Sequence, residues 1–388
     1  MDRVQCVVSE SEVDDSVFKI CRMLDRETPV SVTGLVEKDN RAPGGFEIRA
    51  DDLNVIQPAK KFPVKESDPI ARLMDRRYLS IRFDRQQAVL GVRSEIVHAC
   101  HNFFQKKGFV YIDPPLIMPD SYNGGDSIFD IDYFGQRAFL TGRYPFYINA
   151  AAGAFGRAYT ISPMLRKESN IRADRLTEVR ILEVFSVHKD LDSIIKLAES
   201  LLRAIIRTVL KNRSDSLLLL RKNLSALKNI TPRIQRINFM DAARLLSERR
   251  AKEIGAGDFS SADMAVIARK HGQPFVIQGL PNPGEHVFLK TETGSGHSLG
   301  FYLIASGPMG KIISGGQYED NCAMLRDRLR TPDFSSDLKK RILELCGYGL
   351  SPSAGFRLCI EKLTAWLCGL KHIREASLFP RMRHRLSP

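Results

Sequence analysis

Cysteine, histidine and the basic side chains are where chemistry would first show in this sequence. The seven cysteines (Cys6, Cys21, Cys100, Cys322, Cys346, Cys359 and Cys368) are scattered, with no C-x-x-C pair and no histidine cluster beside them. A zinc site needs clustered ligands and a disulfide framework needs regular spacings. Neither is expected, and the cysteines read as small buried apolar residues or bystanders. The cationic residues say more: 58 Lys+Arg against 45 Asp+Glu give a net charge of +13. That excess favours a polyanionic partner, nucleic acid first, against the alternative of a solvated basic surface with no partner. Arg203, Arg207 and Lys211 recur along one amphipathic stretch and read as a solvated face rather than an RNA site.

The elements that would have to position such groups follow from periodicity. Residues 4–56 read as β structure: an apolar run from Val4 to Val8, an alternating strand from Val30 to Val36, and two strand-like pieces between Phe46 and Ile56. Arg41-Ala-Pro-Gly-Gly45 makes a turn between them, and Val13 to Leu24 is long enough for a short helix. The strands suit a small antiparallel barrel but are too few to complete one. Residues 57–80 are polar and contain prolines, as a linker does.

Beyond them, Ala88, Val92, Ile96, Ala99 and Phe103 fall three and four apart, which predicts a long helix with one apolar stripe, closed by Lys106-Lys107-Gly108. A strand, Phe109 to Ile112, then runs into Asp113-Pro114-Pro115. Leu191 to Leu210 predicts a second amphipathic helix, and Phe356, Ile360, Leu363, Leu367 and Leu370 a C-terminal one. Between them lie short strand-like runs at 138–140, 158–161, 180–184, 274–277 and 311–314. Strands mixed with helices in no regular βαβ alternation imply an α+β domain around a mainly antiparallel sheet.

At 388 residues the chain has room for two or three domains, and 43% hydrophobic with 27% charged residues is an ordinary globular balance. No apolar run reaches the length that crosses a bilayer, and the N-terminus has neither signal-peptide nor transit-peptide character. A cytoplasmic protein with no membrane association is expected.

Several stretches, in order, resemble the asparaginyl-tRNA synthetases of the archaeal/eukaryotic type. RAPGGFEI (41–48) is similar to the last part of their N-terminal OB barrel. The helix through 88–107 and the following FVYIDPP resemble class II motif 1, which builds that family's dimer interface. YNGGDSIFDIDYF (122–134) resembles the substrate-pocket loop and strand. SPMLRKES (162–169) through RLTEV (175–179) resembles motif 2, while GKIISGGQYED (310–320) and GFRLCIEKLTAWLCGLKHIREASLFPR (355–381) lead into and include motif 3. The resemblance implies a class II synthetase fold, with a partial OB-type domain at 1–60, a linker at 61–84 and the catalytic-type domain at 85–388. It further implies a homodimer and a tRNA or other RNA partner.

That family activates asparagine with ATP, and the protein's part is to position substrates and neutralise charge developing on the α-phosphate. By resemblance, Arg166 stands at the α-phosphate arginine and Glu168 at the motif 2 glutamate beside it. The remaining positions depart from the pattern. Lys362 replaces the motif 3 arginine, keeping charge without the planar fork. Arg357 and Cys359 replace two glycines that give ATP clearance. Val179 replaces the adenine-stacking phenylalanine, and Arg175 the histidine on the phosphate tail. Lys311 stands where a carboxylate would hold magnesium, and Ser314 at the second ligand position, so no metal site is expected and ATP, if bound, would bind without magnesium. In the amino-acid pocket, Asn123 replaces the glutamate that meets the substrate ammonium. Gly142-Arg143-Tyr144-Pro145 replaces a Gln-Ser-x-Gln element, Tyr318 an arginine and Tyr302 an aspartate. The expected nucleotide-site set is therefore Arg166, Glu168, Arg175, Ser314, Arg357 and Lys362, with Arg166, Glu168 and Lys362 as catalytic remnants.

Five cations (Arg166, Arg175, Lys311, Arg357 and Lys362) are expected to converge, with Glu168 and Glu361 the chief acids nearby. Such a cluster calls for a bound anion or for side chains splayed into water. Three readings follow. The chain is a non-catalytic dimer that binds RNA, a nucleotide or a partner; or an adenylate-forming ligase retooled for another carboxylic acid; or a working asparagine–tRNA ligase or related asparagine synthetase.

Overall fold

The computed structural model describes residues 3–119, 128–140, 145–168, 172–221, 223–230, 234–246, 258–281, 288–307, 309–330 and 335–387. The chain divides into two compact units, Met1–Ser80 and Ile81–Pro388.

In the first unit, strand β1 (Gln5–Val7) precedes helix α1 (Asp15–Met23), β2 (Val30–Lys38) and β3 (Phe46–Val55). The sheet order is β1-β3-β2, with β1 parallel to β3 and β2 antiparallel to it. The turn between β2 and β3 is a short 3-10 segment, Pro43–Gly45, where Gly44 and Gly45 both take φ of 80°. Phe46 to Val55 is one continuous strand, not two pieces; a bulge opposite Thr33–Gly34 brings the buried Ala50 and Leu53, three apart, to the same side. Residues 61–84, read as a linker, carry two short helices, α2 (Ile70–Asp75) and α3 (Arg77–Ser80).

The second unit opens with the long helix α4 (Asp84–Lys106). Strands β4 (Val110–Tyr111), β5 (Ile117–Met118), β6 (Phe129–Tyr133) and β7 (Gln136–Leu140) follow, then α5 (Pro145–Phe155), β8 (Arg157–Leu165), β9 (Glu178–Val187) and α6 (Leu191–Asn212). After α6 come β10 (Gln235–Asn238), β11 (Phe275–Leu280), β12 (Ser298–Ile304), β13 (Lys311–Gln317) and β14 (Ser353–Cys359). Eight strands form one sheet in the order β10-β11-β12-β13-β14-β9-β8-β4, antiparallel except for the parallel pairs at its two edges. A small separate sheet runs β5-β7-β6.

Alternation along the central strands separates two faces. Leu182 and Val184 of β9, Phe356 and Leu358 of β14, Ile313 of β13 and Phe301 and Leu303 of β12 belong to one apolar cluster with the buried sides of α4 and α6. Val92, Ile96 and Phe104 of α4 and Ile194, Leu201 and Ile205 of α6 have no exposed area. Each such side chain contributes on the order of 2 kcal/mol of burial. The expected stripe of α4 ends on Phe104 rather than Phe103, which is only partly buried at the edge of the cluster.

The opposite face is different. In register, one cross-strand row reads Ile277, Tyr302, Ser314, Arg357, Glu183 and Thr160. Residues directly opposite in antiparallel strands share a face, so the middle of this sheet carries a polar row. The apolar spacing predicts a C-terminal helix that includes Phe356. That residue lies in β14, and the helix is Ile360–Cys368, ended by Gly369 at φ 67°. A second correction concerns the cysteines: Cys322 and Cys346 form a disulfide that joins the helices Cys322–Arg328 and Ser336–Gly347. Nothing in their spacing, 24 residues apart, marks them as a pair. Cys100 and Cys368 are buried free thiols, as expected.

Candidate functional site

A cavity of about 490 Å³ lies over the polar row. Three parts of the sequence supply its cations, and a fourth, 258–264, also lines it. The connection between β8 and β9 supplies Arg166, Glu168, Arg172, Asp174 and Arg175; the start of β13 supplies Lys311 and Ser314; and the β14-to-helix junction supplies Arg357, Cys359 and Lys362. All five expected cations therefore reach one cavity, together with Arg172, which the sequence reading did not single out.

The cations are neither splayed into water nor left bare. Arg175 Nη1 donates to Glu168 Oε2 at 2.9 Å, and Arg166 Nε lies 3.8 Å from the other oxygen of the same carboxylate. Lys362 Nζ donates to Asp174 at 3.2 Å, and Arg172 Nε reaches the second oxygen of that carboxylate, also at 3.2 Å. Arg357 Nε stands 4.0 Å from Glu183, its register neighbour on β9. Lys311 Nζ is 3.9 Å from Asp258. Six cations thus face four carboxylates, and the excess is smaller than the sequence suggested. Burial works to raise the Asp174 carboxyl, but Lys362 and Arg172 beside it prevail and hold it below the usual aspartate value.

Glu361 was expected among the acids of the cavity. It is buried and turned away: its carboxylate accepts from Arg93 Nη2 at 2.9 Å and from the Arg180 backbone N–H at 2.8 Å. Cys359 lines the cavity, but burial and then the neighbouring Glu361 carboxylate push its thiol up to about 12, so it is no nucleophile at neutral pH. Val179 sits in the wall with no ring to offer; the aromatic lining residue is Phe259, whose ring stacks on Phe239 with centroids 4.2 Å apart.

Tyr302 does not open into the cavity. It is fully buried, its hydroxyl donates to Asp258 Oδ2 at 2.7 Å, and Lys311 Nζ lies 3.8 Å above its ring centroid. Tyr318 goes elsewhere again, packed on Phe185 with centroids 4.4 Å apart and lining a small separate pocket with Phe288 and Ile342. Asn123, Arg143 and Tyr144 lie outside the described residues. The expected amino-acid pocket is therefore not assembled as a set by the described residues.

Residues 70–383 match the family of class II tRNA synthetases (D, K and N). The chain belongs to that family. It is 33% identical over 387 residues to an asparagine–tRNA ligase of Pelotomaculum thermopropionicum, covering 99% of this chain and 90% of that one. The ligase of Koribacter versatilis is 34% identical over 400 residues, with the same coverage. Among solved structures, the asparaginyl-tRNA synthetase from Pyrococcus horikoshii complexed with asparaginyl-adenylate superposes with a TM-score of 0.94 at 30% identity, covering 99% of this chain and 90% of that chain.

In this member of the class II synthetase family the residues that the sequence left unmarked are the counter-charges. Asp174 and Arg172 sit in the motif 2 segment, close in sequence to Arg175, so their neighbourhood was a usable signal. Asp258 and Glu183 come from distant parts of the chain and left none.

Proposed function

We propose that this chain keeps the synthetase fold without the ligase reaction of its relatives, and holds an anionic, nucleotide-type ligand in the central cavity without a divalent metal. The observation that carries the reading is Lys311. Its ammonium is fixed between the Tyr302 ring at 3.8 Å and Asp258 at 3.9 Å, at the position where the resemblance puts a metal-binding carboxylate. A divalent ion needs several oxygen ligands, and each carboxylate here already faces a lysine or arginine. The residues present do not fit magnesium, and fixed cations can neutralise phosphate oxygens directly.

A second reading has one observation in its favour: Arg166 and Glu168 remain together at 3.8 Å in the cavity, as an adenylate-forming ligase for another carboxylic acid would need. ATP–pyrophosphate exchange across a panel of amino acids separates the readings. No exchange is expected. Exchange with asparagine would make this a working asparagine–tRNA ligase, exchange with another acid a retooled one, and either would end the first reading. Calorimetry with ATP in EDTA and then in excess magnesium tests the metal: binding is expected in both, and Lys311→Ala should weaken it about tenfold, the loss of one charge-assisted contact.

The same reading makes the protein a homodimer through the α4 helix and the strand after it, an isologous interface. Sedimentation at micromolar concentration should give a dimer. The net charge of +13 supports RNA contact of low specificity that weakens steeply with salt.

A further inference from the structure

A second concavity, also of about 490 Å³, lies within the synthetase unit at the end of α4 and the start of α6. Five cations line it: Lys106 and Lys107 from α4 and its cap, Arg157 from β8, Lys189 from the turn after β9, and Lys196 from α6. No carboxylate is among its lining residues. Lys196 is paired, at 2.6 Å, with Asp192. The other four have no acidic partner among the described residues. Lys107 Nζ lies 5.2 Å over the Phe103 ring, and Arg157 Nη1 donates to the Lys107 carbonyl at 2.9 Å. Those contacts place the two cations without neutralising them.

The floor is built rather than flat. Phe109 and Ile194 are buried beneath it, and Ser193 and Ser200 stand among the cations. The start of α6 adds the positive end of a 22-residue helix, although Asp190 already caps it by accepting from the Ser193 N–H at 2.8 Å. Four exposed cations without carboxylate partners line one groove with Ser193 and Ser200 as hydroxyl donors, and raise a local positive potential that an anion shared between them would lower. A carboxylate is too small to span them, whereas a phosphate offers several acceptor oxygens at once.

We propose that this groove is a second anion site, made for the phosphate groups of a ligand and separate from the central cavity. The phosphate comes either from a small phosphorylated molecule or from an RNA backbone, and the chemistry of recognition is the same.

The test is equilibrium dialysis of labelled inorganic pyrophosphate with the full-length chain. A variant with the central cavity disabled, Arg166→Ala/Lys362→Ala, isolates the groove from the proposed nucleotide site. That variant should still retain pyrophosphate. Adding Lys106→Glu/Lys189→Glu should weaken retention at least about tenfold, since two charge-assisted contacts become repulsions. Lys228→Glu/Lys270→Glu, which changes the net charge equally at exposed positions away from the groove, should leave retention unchanged. Competition by a short single-stranded RNA assigns the phosphate to a backbone, and its absence assigns it to a small molecule. The proposal is overturned if the cavity-disabled chain retains no pyrophosphate, or if the control pair weakens it as much as the groove pair does.

Discussion

The central cavity and the α4–α6 groove have the same volume, about 490 Å³, and nearly the same number of lysines and arginines in their walls. Their electrostatics are opposed. In the cavity every cation has a carboxylate within 4.0 Å, and in the groove only Lys196 has one among the described residues. Counting basic residues does not distinguish the two places; pairing does. A paired cation helps hold its neighbours in position, whereas an unpaired one is left available to something outside the chain. Truncations in the first region should therefore show in stability as well as in binding, and truncations in the second in binding alone.

The largest effect is expected just behind the cavity wall. Glu361→Ala removes a buried carboxylate that serves both Arg93 and the Arg180 N–H, and should cost about 3 kcal/mol in urea unfolding. A loss under about 1 kcal/mol would show that these charges are not structural. Glu168→Ala should cost less, about 1 kcal/mol, because Arg166 and Arg175 are each about a third exposed, with side-chain exposures of 36% and 35%. Millimolar pyrophosphate should restore part of that loss by supplying the missing negative charge. At the other extreme, Lys106→Ala and Lys189→Ala should leave the unfolding free energy within about 0.5 kcal/mol of the parent chain. A larger loss at either lysine would erase the contrast between the regions.

Acid should act on the cavity side and also, through the lowered Asp190 and Asp192 carboxyls, at the start of α6. Burial, then the charge of Arg374, lowers the His372 imidazole to about 4, next to Ile373 of the cavity lining. The folded chain therefore refuses a proton that the unfolded chain accepts from about pH 6.5 downwards. The stability from neutral His372 is complete above about pH 6.5 and is lost as pH falls towards 4. With the ring partly exposed, that amounts to about 1–2 kcal/mol. Asp174 works in the same direction, since its lowered carboxyl gives stability above the unfolded value that disappears as pH falls through the folded one. Urea midpoints between pH 7 and 4 should fall, and His372→Gln should flatten the upper part of that fall. Lys106→Ala/Lys189→Ala, in the groove, should leave the slope unchanged.

Much of the fold was legible because periodicity is a local property. The apolar residues of α4 and α6 recur every three or four positions, and the helices run where that recurrence lies, Asp84–Lys106 and Leu191–Asn212. The cavity cations were legible through motif resemblance, and Arg166, Arg175, Lys311, Arg357 and Lys362 do reach one place. What could not be read was long-range pairing. Glu183 faces Arg357 only because β9 and β14 are neighbours in one register, and Asp258 reaches Lys311 from more than fifty residues away. Tyr302 was misplaced for the same reason, since strand alternation gives its face but not what covers it. The Cys322–Cys346 bond depends on how two helices meet, which spacing does not encode.

The glycines of the two central strands bear on how such a chain can drift. A β-carbon on Gly315 would overlap the carbonyl oxygen of Gly355 and the backbone of Phe356, and one on Gly355 would overlap the carbonyl oxygen of Val184. Backbone cannot step aside as a flexible side chain can, so these positions admit almost no replacement. One residue from Gly315 and two from Gly355, Ser314 and Arg357 line the cavity, where bulk and charge can change without disturbing the sheet. Mutation is thus channelled: the architecture resists substitution at positions interleaved with those where the chemistry is free to be rewritten. A lineage of such chains can exchange its ligands many times over while every member still folds alike.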